Sequence, residues 1–135
     1  MGWLIFALVV AVLIAWFVLA IMSKNKAREG MSVVSRRSLE QTKAAVASCF
    51  TTGLSKALWT PCDGRGMMNY RRRAVGPDMG NGAVVSIDFE PTQQGKSVEV
   101  HAWMSEWISR FGTANFSNDC NSRIKAIVKA VSEMG

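Results

Sequence analysis

The chain has 135 residues, a net charge of +6, three cysteines and one histidine. A lone histidine with cysteines at 49, 62 and 120 does not fit the ligand spacings of a zinc site. Residues 23–43 hold six basic and two acidic side chains, which leaves ten basic and eight acidic from residue 44 onward. That near balance argues against the basic footprint of a nucleic-acid binder.

Gly2 to Met22 is an unbroken run of 21 residues without a charged side chain. A helix of that length spans roughly 30 Å, the thickness of a bilayer's hydrocarbon core. A cleaved secretory signal needs a positive n-region, a shorter apolar stretch and a small-x-small cut site, and Ala20-Ile21-Met22 offers no such cut. The run is apolar all round, unlike an amphipathic core helix. The expected organisation is an uncleaved transmembrane anchor at 1–22, a basic juxtamembrane linker at 23–34 and a soluble domain at 35–135.

Lys24, Lys26, Arg28, Arg36 and Arg37 follow the run. Basic residues close to a span stay on the cytoplasmic side and contact anionic headgroups. We therefore expect a single-pass protein of the cell (inner or plasma) membrane, with its N-terminus outside and its domain in the cytoplasm. A signal anchor with the domain outside is the alternative. An odd number of scattered thiols suits a reducing compartment; a Cys62–Cys120 bridge belongs to the outside alternative. Ala7, Ala11 and Ala15 recur every four residues on one helix face, where small side chains permit close helix–helix approach. The expected partners are membrane lipids and a membrane protein, or a second copy, bound through that helix.

Ser38 with Gln41 forms a capping box for a first amphipathic helix carrying Leu39, Val46, Phe50 and Leu54, with Cys49 at its edge. Gly53 weakens its end, Pro61 stops it, and Leu58-Trp59 is either a last turn or a short strand. Met67–Val75 alternates as a strand, with Met68, Tyr70, Arg72 and Ala74 on one face and Asn69, Arg71 and Arg73 on the other. The segment 76–82 is dense in turn residues. A second strand at 83–90 points Val85, Ile87 and Phe89 inward and Ser86, Asp88 and Glu90 outward. A third strand begins at Ser97. Trp103, Trp107 and Phe111 fit either a helix face or a strand face, and continuation of the strand is the simpler reading. Asn118 or Asp119 is expected to cap a final helix whose apolar face is Cys120, Ile124, Ile127, Val128 and Val131. The fold class is thus a single N-terminal transmembrane helix plus a small α+β domain. In that domain an antiparallel sheet of three or four strands is covered by an N-terminal and a C-terminal amphipathic helix.

Little in the chain points to chemistry. His101 has no nameable base partner, Asp88 and Glu90 occupy solvent positions of an amphipathic strand, and the loop at 62–66 matches no phosphate-binding fingerprint. No enzyme activity and no cofactor are expected. Arg71 and Arg73 project together, toward Asp88, Glu90 or Glu99 on a neighbouring strand or toward a lipid phosphate or acidic partner. With Trp103, Trp107 and Phe111 they make a candidate partner surface. Two functions follow as expectations: a non-enzymatic accessory or assembly subunit of a larger membrane complex, or a membrane-tethered domain that binds a lipid or other apolar ligand.

Overall fold

A computed structural model of the protein describes residues 2–73, 82–92, 96–107, 109–110, 113–114 and 116–134. The first element is the helix α1, Gly2–Glu29. It is long and apolar enough to cross a membrane, and no residue of its most apolar stretch is buried within the protein. Seven residues past Met22 it is still helical. The segment expected as a linker is the last turns of α1 followed by strand β1, Met31–Ser35.

The remaining elements are α2 (Leu39–Thr51), α3 (Leu54–Leu58), β2 (Trp59–Pro61), β3 (Met68–Arg72), β4 (Val84–Thr92), β5 (Ser97–Glu106), a small hairpin β6 (Ser109–Arg110) and β7 (Thr113–Ala114), and α4 (Ser117–Glu133). The main sheet is antiparallel with five strands in the order β1-β5-β4-β3-β2. The expected count of three or four strands is corrected to five. The two edge strands are β1, inside the segment expected as linker, and the three-residue β2, whose Trp59 falls in the stretch expected as a last helical turn or a short strand. The fold is α+β, with the helices on one face of the sheet.

β5 stops at Glu106, so the continuous strand expected through Phe111 is corrected as well. The last residue of β5, Glu106, pairs with Val84, the first residue of β4, so among the described residues the ladder between the two strands ends there. Phe111 and the expected turn at 76–81 lie outside the described residues.

Alternation along the strands fills the core. Tyr70, Val85, Ile87, Phe89, Val98, Val100, Ala102 and Met104 face the helices and are buried. Helix α2 contributes Val46, Cys49 and Phe50, and α4 contributes Cys120, Ile124, Ile127 and Val131. Phe50 stacks on Tyr70 with ring centroids 4.1 Å apart and meets the edge of Trp59 at 5.4 Å. Burying a side chain such as Phe50 or Ile124 contributes about 1.5–3 kcal/mol. Leu54 belongs to the expected stripe but lies in α3 and is exposed.

The start of α2 follows from its sequence. Ser38 Oγ accepts from the Gln41 backbone N–H at 3.2 Å, and the Gln41 side chain accepts from Ser38 N–H at 3.4 Å. Thr42, one turn into the helix, is buried against Ser35 Oγ at 2.8 Å and so fastens α2 to the end of β1.

The opposite face of the sheet is polar but partly covered. Asn69 Oδ1 accepts from Gly66 N–H at 2.9 Å and from Ser86 Oγ at 2.6 Å, and Asn69 Nδ2 donates to Gly66 O at 2.9 Å. Ser86 in turn bonds Ser105 at 2.6 Å. These buried hydroxyls and the amide satisfy one another, which is the condition for burying them at all. They also fold the 62–67 loop over the sheet, where Asp88 Oδ1 accepts from Met67 N–H at 2.9 Å.

Candidate functional site

The distinctive geometry lies where α1 enters the domain. Ser23 follows the last apolar residue of the run. Its hydroxyl donates to Asn118 Oδ1 at 2.6 Å and is hydrogen-bonded to Ser117 Oγ at 3.1 Å. Asn121 Nδ2 donates to the Ser23 carbonyl at 2.9 Å and to its hydroxyl at 3.1 Å. One turn further, Ala27 is fully buried in the domain core. The stripe Trp16, Ala20, Ser23, Ala27, spaced by three or four residues, is the side of α1 that looks toward α4.

Gly30 closes the junction. Its φ of +73° is left-handed, and a Cβ there would overlap the Ala102 carbonyl oxygen of β5. Only glycine suits both conditions. The chain thus turns from helix to edge strand within a single residue, with Gly30 N–H still bonded to Lys26 O at 3.0 Å.

This use of polar side chains alters the start of α4. Asn118 or Asp119 was the expected cap, but the helix begins at Ser117 with Phe116 in the left-handed region at φ 57° and no capping side chain. Asn118 is bonded to Ser23 and Asp119 to Arg72, so neither is in the cap position. Arg72 Nε meets Asp119 Oδ2 at 3.2 Å, and its guanidinium lies 4.8 Å from the Phe116 ring centroid. One arginine of β3 therefore holds both the ring before α4 and a carboxylate in its first turn.

The sequence-based candidates are dispersed. Ala7, Ala11 and Ala15 sit on the apolar length of α1, where no described residue is buried. Lys24 Nζ lies 5.8 Å from the Trp107 ring centroid, Lys26 lines a groove against α4, and Arg28 is exposed. Arg36 lines a surface groove with Val34 and Lys96, and Arg37 Nε donates to Met134 O at 2.9 Å. Arg71 pairs with Glu106 at 3.2 Å rather than with Asp88, Glu90 or Glu99. Arg73 follows β3, exposed, with its N–H on Leu58 O at 2.7 Å. Trp103 stacks beside His101 at 5.3 Å, and Trp107 turns to Lys24, so the two tryptophans have separate neighbours.

His101 Nδ1 is bonded to Ser32 Oγ at 2.8 Å across the β1–β5 pair. All three cysteines are free thiols. Burial pushes Cys120 up to about 12 and raises Cys49 as well, against the opposing pull of Arg123 on the latter. Burial also raises Cys62, opposed by Arg71. The buried, neutral Cys49 and Cys120 are inert packing groups, whereas Cys62 is half-buried. Among the described residues, no three metal-ligating side chains gather where an ion would fit.

Ser23, Asn121, Gly30 and the Arg72–Asp119 pair escaped sequence reading. Each depends on a partner more than 45 residues away or on backbone geometry, and only Gly30, bounding a helix, carries a local signal. Against models of known protein families, curated proteins and solved structures, the chain matches none.

Proposed function

We propose that α1 spans a cell membrane and that the domain is a rigid cytoplasmic cap on it, acting as a non-enzymatic accessory or assembly subunit of a larger membrane complex. One observation carries this reading. The helix keeps its apolar stretch unburied and is hydrogen-bonded into the domain from Ser23, the residue at which polarity begins. Lys24, Lys26 and Arg28 follow at headgroup level and favour the cytoplasmic side. A domain fixed to its anchor presents its surfaces to a membrane partner in one orientation, which suits docking more than capture of a diffusing ligand. The apolar-ligand reading has less support, because Phe50, Ile87, Met104, Ile124 and Ile127 already fill the space between sheet and helices.

Resistance of the membrane-bound protein to alkaline carbonate tests the span. Cys62, the half-buried thiol, reports the side: an impermeant maleimide should label it only after permeabilisation. Labelling on intact cells would reverse the orientation. Purification in mild detergent then tests the subunit role, which predicts stoichiometric membrane partners; a lone chain carrying extractable lipid would favour the ligand reading instead.

A further inference from the structure

The junction between α1 and α4 carries a groove of about 450 Å³, lined by Met22, Ser23 and Lys26 on one side and Asn118, Asn121 and Lys125 on the other. Lys26 lies one helical turn beyond Met22, and Lys125 one turn beyond Asn121, so an ammonium stands on each wall at the same end. Both lysines are exposed. The ion pairs among the described residues are Arg71–Glu106 and Arg72–Asp119, so neither lysine is neutralised by one, and the nearby Asp119 is already matched. A second groove, of about 580 Å³, adjoins the first through Asn118 and is lined on α1 by Trp16, Leu19 and Ala20 and on the domain side by Phe116, Ser117 and Asp119. Together they form one path, cationic and amide-lined at one end and walled at the other by the apolar side of α1 facing Phe116 and the ion-paired Asp119.

We infer that this path binds an anionic phospholipid of the leaflet from which α1 emerges, its phosphate between Lys26 and Lys125 and its acyl chains along Trp16, Leu19 and Ala20. The inference rests on the membrane-spanning reading of α1. The order of chemistry along α1 matches the order in a lipid: Trp16 to Ala20 lie at acyl depth, Met22 and Ser23 at the boundary, Lys26 at the phosphate. A soluble phosphate would use the cationic end alone, whereas the apolar side of α1 selects a lipid. Paired ammonium groups select a net negative headgroup over a zwitterionic one. Because Ser23 and Asn121 hold both walls in place, the groove is formed before the lipid arrives.

The test uses the full-length protein in vesicles of phosphatidylcholine containing phosphatidylglycerol, extracted in mild detergent, with retained lipid counted by native mass spectrometry. Phosphatidylglycerol should be retained in preference to phosphatidylcholine, and excess inorganic phosphate should not displace it. Combining Lys26→Ala with Lys125→Ala should weaken retention about tenfold or more. Combining Lys43→Ala with Lys56→Ala removes the same charge elsewhere and should leave retention unchanged. Equal retention of both lipids, equal effects of the two double variants, or displacement by inorganic phosphate would overturn the site. A protein stripped from vesicles by carbonate would overturn the membrane reading and this inference with it. One that resists carbonate yet shows no lipid preference overturns only the inference.

Discussion

The side-chain amide of Asn121 donates to two oxygens of Ser23, the carbonyl at 2.9 Å and the hydroxyl at 3.1 Å, and so joins α4 to α1 at the point where the apolar helix becomes part of the domain. Removing the donor leaves oxygens at a partly buried contact without that partner. Asn121→Leu should destabilise the domain by about 1–3 kcal/mol. Ser23→Ala, which takes the hydroxyl partner from the buried Ser117 as well as from Asn118 and Asn121, should cost a similar amount. Urea denaturation of the full-length protein in detergent, followed by tryptophan fluorescence, measures both. Limited proteolysis should also cut between residues 23 and 30 sooner in the Asn121 variant. Unchanged cleavage there would mean that the bond does not hold the helix.

Gly30→Ala should be among the most damaging substitutions in the chain. The left-handed backbone costs an alanine about 1 kcal/mol, and overlap with the Ala102 carbonyl adds strain that only a shift of β1 relieves. Because β1 pairs with β5 from Met31 to Ser35, the shift breaks an entire edge of the sheet. The expected result is loss of amide protection at 31–35 by hydrogen exchange, with the core strands β4 and β5 still protected. Intact protection at 31–35 would contradict the tight-turn account.

Arg72 and Asp119 should be unequal partners. Asp119 is 47% exposed and its pair is worth little by itself, so Asp119→Asn should cost at most about 1 kcal/mol. Arg72 is 15% exposed and also lies over Phe116, so Arg72→Ala loses packing as well as charge and should cost about 1–2 kcal/mol more. A double-mutant cycle separates the charge component. A coupling near zero would assign the effect of Arg72 to its stacking on Phe116 and its bond to Arg73 O.

Alkaline stability should follow the Cys120 thiol. Burial raises it from 9.0 to about 12, so between those pH values the unfolded chain has released a proton that the folded chain keeps. Its contribution is fully present below pH 9.0 and is lost as pH rises toward about 12, with a slope near 1.4 kcal/mol per pH unit. Cys49 and Tyr70, also raised by burial, act in the same direction. Cys120→Ala should flatten the slope by one proton's worth in urea midpoints taken across the alkaline range. Parallel slopes for the two proteins would reject the assignment.

Local signals were the legible ones. The α2 capping box and the inward row Val85, Ile87, Phe89 depend on residues within one turn or one strand, and both stand in the structure as read. So does the division of Arg71 from Arg72 across β3, although their partners, Glu106 and Asp119, lie 35 and 47 residues away and could not be read from spacing. Strand β1 was missed for the same reason. Met-Ser-Val-Val-Ser is too short to show a period, and it becomes a strand only because β5, over 60 residues on, offers it an edge. The cap of α4 misled because a capping asparagine looks the same in sequence whether it serves its own helix or, as Asn118 does, a neighbouring one.

With no slack between helix and sheet, rotational phase is conserved along the whole molecule. At roughly 100° per residue, the side bearing Ala7, Ala11 and Ala15 points about 135° away from the side bearing Ser23 and Ala27. A neighbouring span seated on the alanines would therefore find the domain swung to its far flank rather than overhead. Inserting a single residue before Ser23 would turn that compass by roughly 100° without touching either surface.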